Sequence, residues 1–199
     1  MERQDIRLEE ARTLSDAMKM KENKTEYRAV YRRDGTATGE IVEKHAPKRP
    51  GDYFRHVVLV MKTQNSPPPG QGEGRYIVQQ RSLKARFFAG KWDVTGGGVQ
   101  AHETPVQAAV REAGEELHLD LCPDELSLVY EYTVHWPDGT GLFISMYACR
   151  VPVPENGFAW DEREVNDVGV FPFHVFRARV MDHNDEAFGQ ALDRIEATL

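Results

Sequence analysis

Three consecutive glycines, Gly96-Gly97-Gly98, stand a short way before a helix whose start is clearly written. Thr104 is a natural N-cap, Pro105 suits the first helical position, and Gln107 completes a capping box. At about 100° per residue, Val106, Ala109, Val110, Ala113 and Leu117 form one apolar stripe. A stripe of that kind must face a core. The chain therefore has to place a glycine-rich turn and an amphipathic helix against packed secondary structure.

The flanking sequence supplies that structure. Residues near Asp5 to Lys24 read as a charged helix, and Glu26–Lys44 as a hairpin turning near Asp34-Gly35. Tyr53–Thr63 is an apolar run suited to a buried strand. Gln64–Gly74 is a Pro/Gly loop, and Arg75–Arg81 a second strand. Lys91–Thr95 reads as a short strand ending at the glycines. Beyond the helix, Leu126–Trp136 and Leu142–Val151 read as strands joined by the turn Pro137–Gly141. Val165–Phe171 precedes a helical end over Asp185–Leu199. Strands and helices do not alternate regularly, which favours an α+β fold, with a mixed β-sheet flanked by helices, over a doubly wound parallel sheet. Residues 1–26 are expected to form a helical extension and 27–199 one domain.

Composition narrows the function classes. The 199 residues carry a formal net charge of -7, which argues against binding a nucleic-acid polymer. A local pocket or a metal can still favour a small anionic substrate. Cys122 and Cys149 form no zinc-spaced cluster and read as reduced thiols. The charged N-terminus shows no signal peptide, and no apolar stretch is long enough to span a bilayer. These features point to a cytoplasmic protein with no membrane partner.

The helix also carries Glu112, Glu115 and Glu116 on an arc beside its apolar stripe. Each like-charge pair at i,i+3 or i,i+4 costs ~0.2–0.5 kcal/mol, and carboxylates near the helix C-terminus oppose the dipole by roughly 0.3–1 kcal/mol each. Arg111 recovers part of this by pairing with Glu115 at i,i+4. The residue composition alone allows two readings: a solvated acidic face, or a hard divalent cation held by oxygen ligands.

The wider spacing bears on that choice. Gly97 is followed by Glu103, then by Arg111-Glu112, Ala113, Gly114, Glu115-Glu116, Leu117, His118 and Leu119. This pattern resembles the box of the Nudix hydrolase family, with His118 in place of the family's glycine. The resemblance implies a Nudix-type α/β/α sandwich and a Mg2+ cofactor, with Mn2+ as a substitute. It implies Glu112 and Glu116 as the principal metal ligands, and Glu115 as a further ligand or the group orienting water. Arg111 would position a glutamate, most readily Glu115. Glu103 would brace the loop or bind metal through water, and the Gly96 carbonyl would be another ligand. A base outside the helix is expected from Glu162 or Glu164, of which Glu164 is favoured. Arg81 is a candidate phosphate contact and Trp92 a candidate stacking platform, as is Trp136. The implied reaction is water attack on phosphorus in a small-molecule diphosphate. Dimers are common among relatives, so a homodimer fits the resemblance.

Over Tyr27–Phe176 the chain is also similar to the branch related to isopentenyl-diphosphate isomerase. That enzyme needs a cysteine just before the box, where this chain has Thr95. Two alternatives to hydrolysis follow: a non-catalytic nucleotide-sensing module, which usually lacks box carboxylates, and the isomerase itself.

Overall fold

The computed structural model describes residues 25–199, so the helix expected near Asp5–Lys24 lies outside the described residues. Among the described residues the strands are β1 (Tyr27–Tyr31), β2 (Ala37–Glu43), β3 (Tyr53–Thr63), β4 (Arg75–Arg81), β5 (Trp92–Asp93), β6 (Thr95–Gly98), β7 (Ser127–His135), β8 (Gly141–Val151) and β9 (Val165–Pro172). The helices are α1 (Pro105–Leu117), α2 (Phe173–Val180) and α3 (Glu186–Thr198), with a short 3-10 turn at Pro123–Glu125.

Strand β3 organises the mixed sheet. Along one edge it pairs in parallel with β8, from Tyr53↔Gly141 to Thr63↔Val151. Its other edge is shared: Tyr53 meets Tyr31 of β1, His56–Leu59 meet β6, and Met61 and Lys62 meet β4, all antiparallel. Beyond that short contact β4 runs between β5 and β9. The sheet therefore splits between β6 and the far end of β4.

Both faces of the sheet are covered, which is why β3 reads as a continuous apolar run. Val57, Leu59 and Met61 pack with Ala108, Ala109, Ala113 and Leu117 of α1. Val58 and Val60, pointing the other way, pack with Phe176, Val180, Phe188, Leu192 and Ile195 of α2 and α3. Burying a side chain such as Leu117 stabilises the fold by about 1.5–3 kcal/mol. Lys62 is a buried charge within β3 and is answered by Glu196 of α3 at 3.1 Å.

Three expectations need correcting. The strand expected over Lys91–Thr95 is two strands, and β6 runs through the glycines rather than ending at them. Helix α2 was not foreseen, because its eight residues are too few to show a helical period against a preceding strand. The buried side of α1 is Ala108, Ala109, Glu112, Ala113, Glu116 and Leu117, while Val106 and Val110 are only partly buried. The stripe is thus rotated toward the glutamates. Among the described residues, no helix is long and apolar enough to cross a membrane.

Candidate active site

The cap of α1 forms as its sequence dictates. The Thr104 hydroxyl accepts from the Gln107 N–H, and the Gln107 side chain accepts from the Thr104 N–H at 2.8 Å. At the other end His118 adopts φ 51°, ψ 32°, a left-handed conformation that usually goes to glycine. Leu119 N–H then donates to the Ala113 carbonyl at 3.2 Å. The histidine ends the helix as a glycine would, at a cost in strain.

Within those limits the glutamates separate. Glu112 is 8 % exposed and Glu116 4 %, whereas the Glu115 side chain is half-exposed. Two of the three carboxylates are therefore buried, which excludes a fully solvated acidic face. Burial pushes both buried carboxyls above their ordinary range. For Glu112 the adjacent Arg111 opposes that rise. Among the described residues Glu116 pairs with no such cation, and desolvation with the charges of Glu112 and Glu164 pushes it up to about 8. Its Oε2 accepts from Gln79 Nε2 at 2.8 Å and from the Gly96 N–H at 3.3 Å.

Arg111 is the hub of the acidic face. Its guanidinium donates to both Glu103 oxygens at 3.0 and 2.7 Å, to Glu112 Oε1 at 2.9 Å, to Glu115 Oε2 at 2.8 Å and to the Gly98 carbonyl at 3.0 Å. Burial works against its charge, but its hydrogen bonds to Glu103 and the charge of Glu112 more than offset this and hold it above its ordinary value. Glu103 also accepts from the Gln100 N–H at 2.7 Å, so it braces the loop before α1. Arg111 thus orients three glutamates and the glycine strand together, where the sequence suggested chiefly Glu115.

The glycines have separate reasons. A Cβ on Gly97 would overlap the Glu112 carboxylate, one on Gly98 the Arg28 guanidinium, and one on Gly96 the Val57 carbonyl. Each close approach is available only to glycine.

Elsewhere the candidates divide. Asp161 N–H donates to the Glu116 carbonyl at 3.0 Å and docks the loop ahead of β9 on the end of α1. This brings the exposed Glu164 close enough for its charge to act on Glu116. Arg81, at the end of β4, donates through Nε to the Phe87 carbonyl at 3.2 Å. Trp92 is not brought to the glutamates: it packs with the α2/α3 cluster, edge-on to Phe171 at 5.6 Å, with Arg179 over its ring at 4.8 Å. The Trp136 ring is covered by Lys48 at 5.0 Å.

Two residues escaped the sequence reading. Gln79 is buried, touches Glu116, and leaves its own Oε1 without a partner among the described residues. A glutamine directly after the apolar run Tyr76–Val78, within the same strand, was the available signal. Arg28 packs on Gly98 from β1, and nothing local to its hairpin marks it.

Among the described residues, no three His, Cys, Asp or Glu side chains converge as a metal cage. The donor chemistry nonetheless fits Mg2+, which is commonly bound through one or two carboxylates plus water and substrate phosphates. Glu112 and Glu116 are such a pair, buried, with too little positive charge beside Glu116 to balance both.

A family model described as the NUDIX domain matches residues 56–191. No curated protein matches the chain. Among solved structures, the DR0079 protein of Deinococcus radiodurans is similar at 21% identity and TM-score 0.61, over 85% of this chain and 98% of that one. The E. coli dihydroneopterin triphosphate pyrophosphohydrolase is similar at 20% identity and TM-score 0.53, over 71% and 95%. The NUDIX domain of Shewanella oneidensis NrtR, complexed with ADP ribose, is similar at 16% identity and TM-score 0.54, over 76% and 89%. At these identities the structural likeness speaks for the fold alone.

Proposed function

The chain belongs to the Nudix family of hydrolases, and on that premise we propose that it cleaves a diphosphate linkage in a nucleoside diphosphate derivative or another organic diphosphate. Water attacks phosphorus, with Mg2+ or Mn2+ as cofactor. The observation that carries this reading is the burial of Glu112 and Glu116 side by side, with Glu116 pushed up to about 8 and paired with no cation among the described residues. Such a pair is stabilised when a divalent cation replaces the lost solvation.

Glu112 and Glu116, with the Gly96 carbonyl, hold the cation in this reading. When bound, it supplies charge neutralisation for the phosphate oxygens and lowers the pKa of water. Arg111 keeps Glu112 and Glu115 in place, leaving Glu115 to serve as a further ligand or to orient water. Glu103 fastens the loop that carries the glycines. Glu164 accepts the proton of the attacking water from its position beside Glu116. Arg81 contacts a substrate phosphate. Trp92, which lines an open pocket with Lys91 and Arg179, serves as the stacking platform.

The isomerase alternative is not supported by the thiols. Cys149 is buried in the core under α1 and burial pushes it up to about 12, and Cys122 is exposed. The test is incubation with Mg2+ and a panel of nucleoside diphosphate derivatives, following release of phosphate or nucleotide. Turnover of at least one member, lost in Glu116→Gln and in EDTA, is the expected result. Tight binding without turnover would overturn it in favour of a sensing module.

A further inference from the structure

Gly97 and Gly98 are neighbours on β6, and their bare sides are filled by opposite charges. The Glu112 carboxylate occupies the space beside Gly97, and the Arg28 guanidinium the space beside Gly98. Consecutive strand residues face opposite sides of a sheet. Arg28 therefore lies on the face away from α1, behind the carboxylates and separated from them by one glycine backbone. Its Nε is buried and has no hydrogen-bond partner among the described residues. A buried guanidinium N–H left unpaired is costly, so the position calls for an acceptor.

Other cations gather on that face. Gly98 pairs in register with His56, and Phe54 lies two residues along β3 on the same side. The Lys48 ammonium sits 5.7 Å from the Phe54 ring and 5.0 Å from the Trp136 ring. Arg28 and Arg86 both act on Lys48, and Arg28, Arg81 and Lys44 act on His56. Four carboxylates face this group and offset part of its charge. Glu26 pairs with Lys44 at 2.9 Å, Asp93 with His183 at 3.1 Å, Asp138 with Thr140, and Glu112 with Arg111. In a chain of net charge -7, this is a local surplus of positive charge.

We infer that Arg28 and Lys48, over a floor made by Gly98 and His56, bind a phosphate group of the substrate on the sheet face opposite α1. The inference rests on the diphosphate reading above and assigns the two ends of the linkage to two faces. Among the described residues β6 pairs only with β3, and its other edge is met not by a strand but by side chains of α1, Glu116 at the Gly96 N–H and Arg111 at the Gly98 carbonyl. Linked phosphates pass that edge, one toward Glu112 and Glu116 and the next toward Arg28. The planar guanidinium fork matches phosphate oxygens, and the lysine adds a point charge at the rim.

The experiment is calorimetric titration of inorganic pyrophosphate into the full chain in EDTA, so that the metal contributes nothing. Wild type binds, Arg28→Gln and Lys48→Gln each weaken binding by about tenfold or more, and Glu116→Gln does not weaken it. Absence of metal-free binding would overturn the inference. So would retention within about twofold in both cation variants, or an equal loss in Glu116→Gln. If Arg28→Gln does not fold, as judged by circular dichroism, Lys48→Gln at the exposed rim decides. Failure of the hydrolase reading shows separately, as absence of Mg2+-dependent turnover while metal-free pyrophosphate binding persists.

Discussion

Gly97 and Glu112 occupy one another's space: the carboxylate of the helix lies where a glycine side chain would begin. A strand residue with any Cβ would push Glu112 off its position beside Glu116. Gly97→Ala is expected to lower Mg2+-dependent turnover by about 10²-fold, the scale on which a displacement near 1 Å acts in a catalytic constellation. Steady-state kinetics on the panel substrate checks it, and a rate within a factor of about three of wild type would show that the close approach has no catalytic role.

Arg111→Lys is expected to destabilise the fold by about 2 kcal/mol, because one ammonium cannot reach Glu103, Glu112, Glu115 and the Gly98 carbonyl together. Urea denaturation measures this. An unchanged midpoint would mean that the hub contributes little beyond exposed ion pairs.

Metal-free stability should fall as pH rises from about 6.5 to 8.5. The folded value for Glu116, about 8, lies above the value of about 4.3 expected for an unfolded glutamate. The folded state therefore holds the proton more tightly. That contribution is complete below about pH 4 and is lost as pH rises through 8. Buried His56, lowered to about 4, contributes with the opposite sign between about pH 4 and 6.5, so melting temperatures in EDTA should drop between about pH 6.5 and pH 8.5, with Glu116→Gln flattening the slope and Mg2+ stabilising most at the alkaline end. A melting temperature that rises over this range in EDTA would contradict the assignment.

Glu164 and Glu162 make a matched pair for locating the base. Glu164 acts on Glu116, and both are exposed. Glu164→Gln should lower kcat by about 10²–10⁴-fold, while Glu162→Gln stays close to the wild-type rate. Equal behaviour of the two variants would move the base elsewhere.

His118→Gly should stabilise the protein by about 0.5–1 kcal/mol and leave turnover unchanged, since glycine takes φ 51° without strain but adds entropy to the unfolded chain. Denaturant midpoints test the first expectation. A destabilised variant would show that the imidazole makes a compensating contact.

The sequence by itself determined the local features. Thr104, Pro105 and Gln107 fix the start of α1 through short-range hydrogen bonds, and the box spacing identified Arg111, Glu103 and the glutamates as one group. The apolar runs placed β3, β4 and β8, since a buried strand needs apolar residues wherever it is packed, and strand-like segments bounded by turns placed β7 and β9. What only the tertiary structure decided is which side chains meet across long separations. Gln79 reaches Glu116, Arg28 reaches Gly98, and Asp161 reaches the end of α1, because β3 shares one edge among three partners and the sheet splits beside the glycines. The same packing separated two glutamates that look alike in sequence, burying Glu116 and leaving Glu115 half-exposed. Helical periodicity gives the angle between neighbours on one element. It does not give the surface that element turns toward, and desolvation, which sets the chemistry of a carboxylate, depends on that surface.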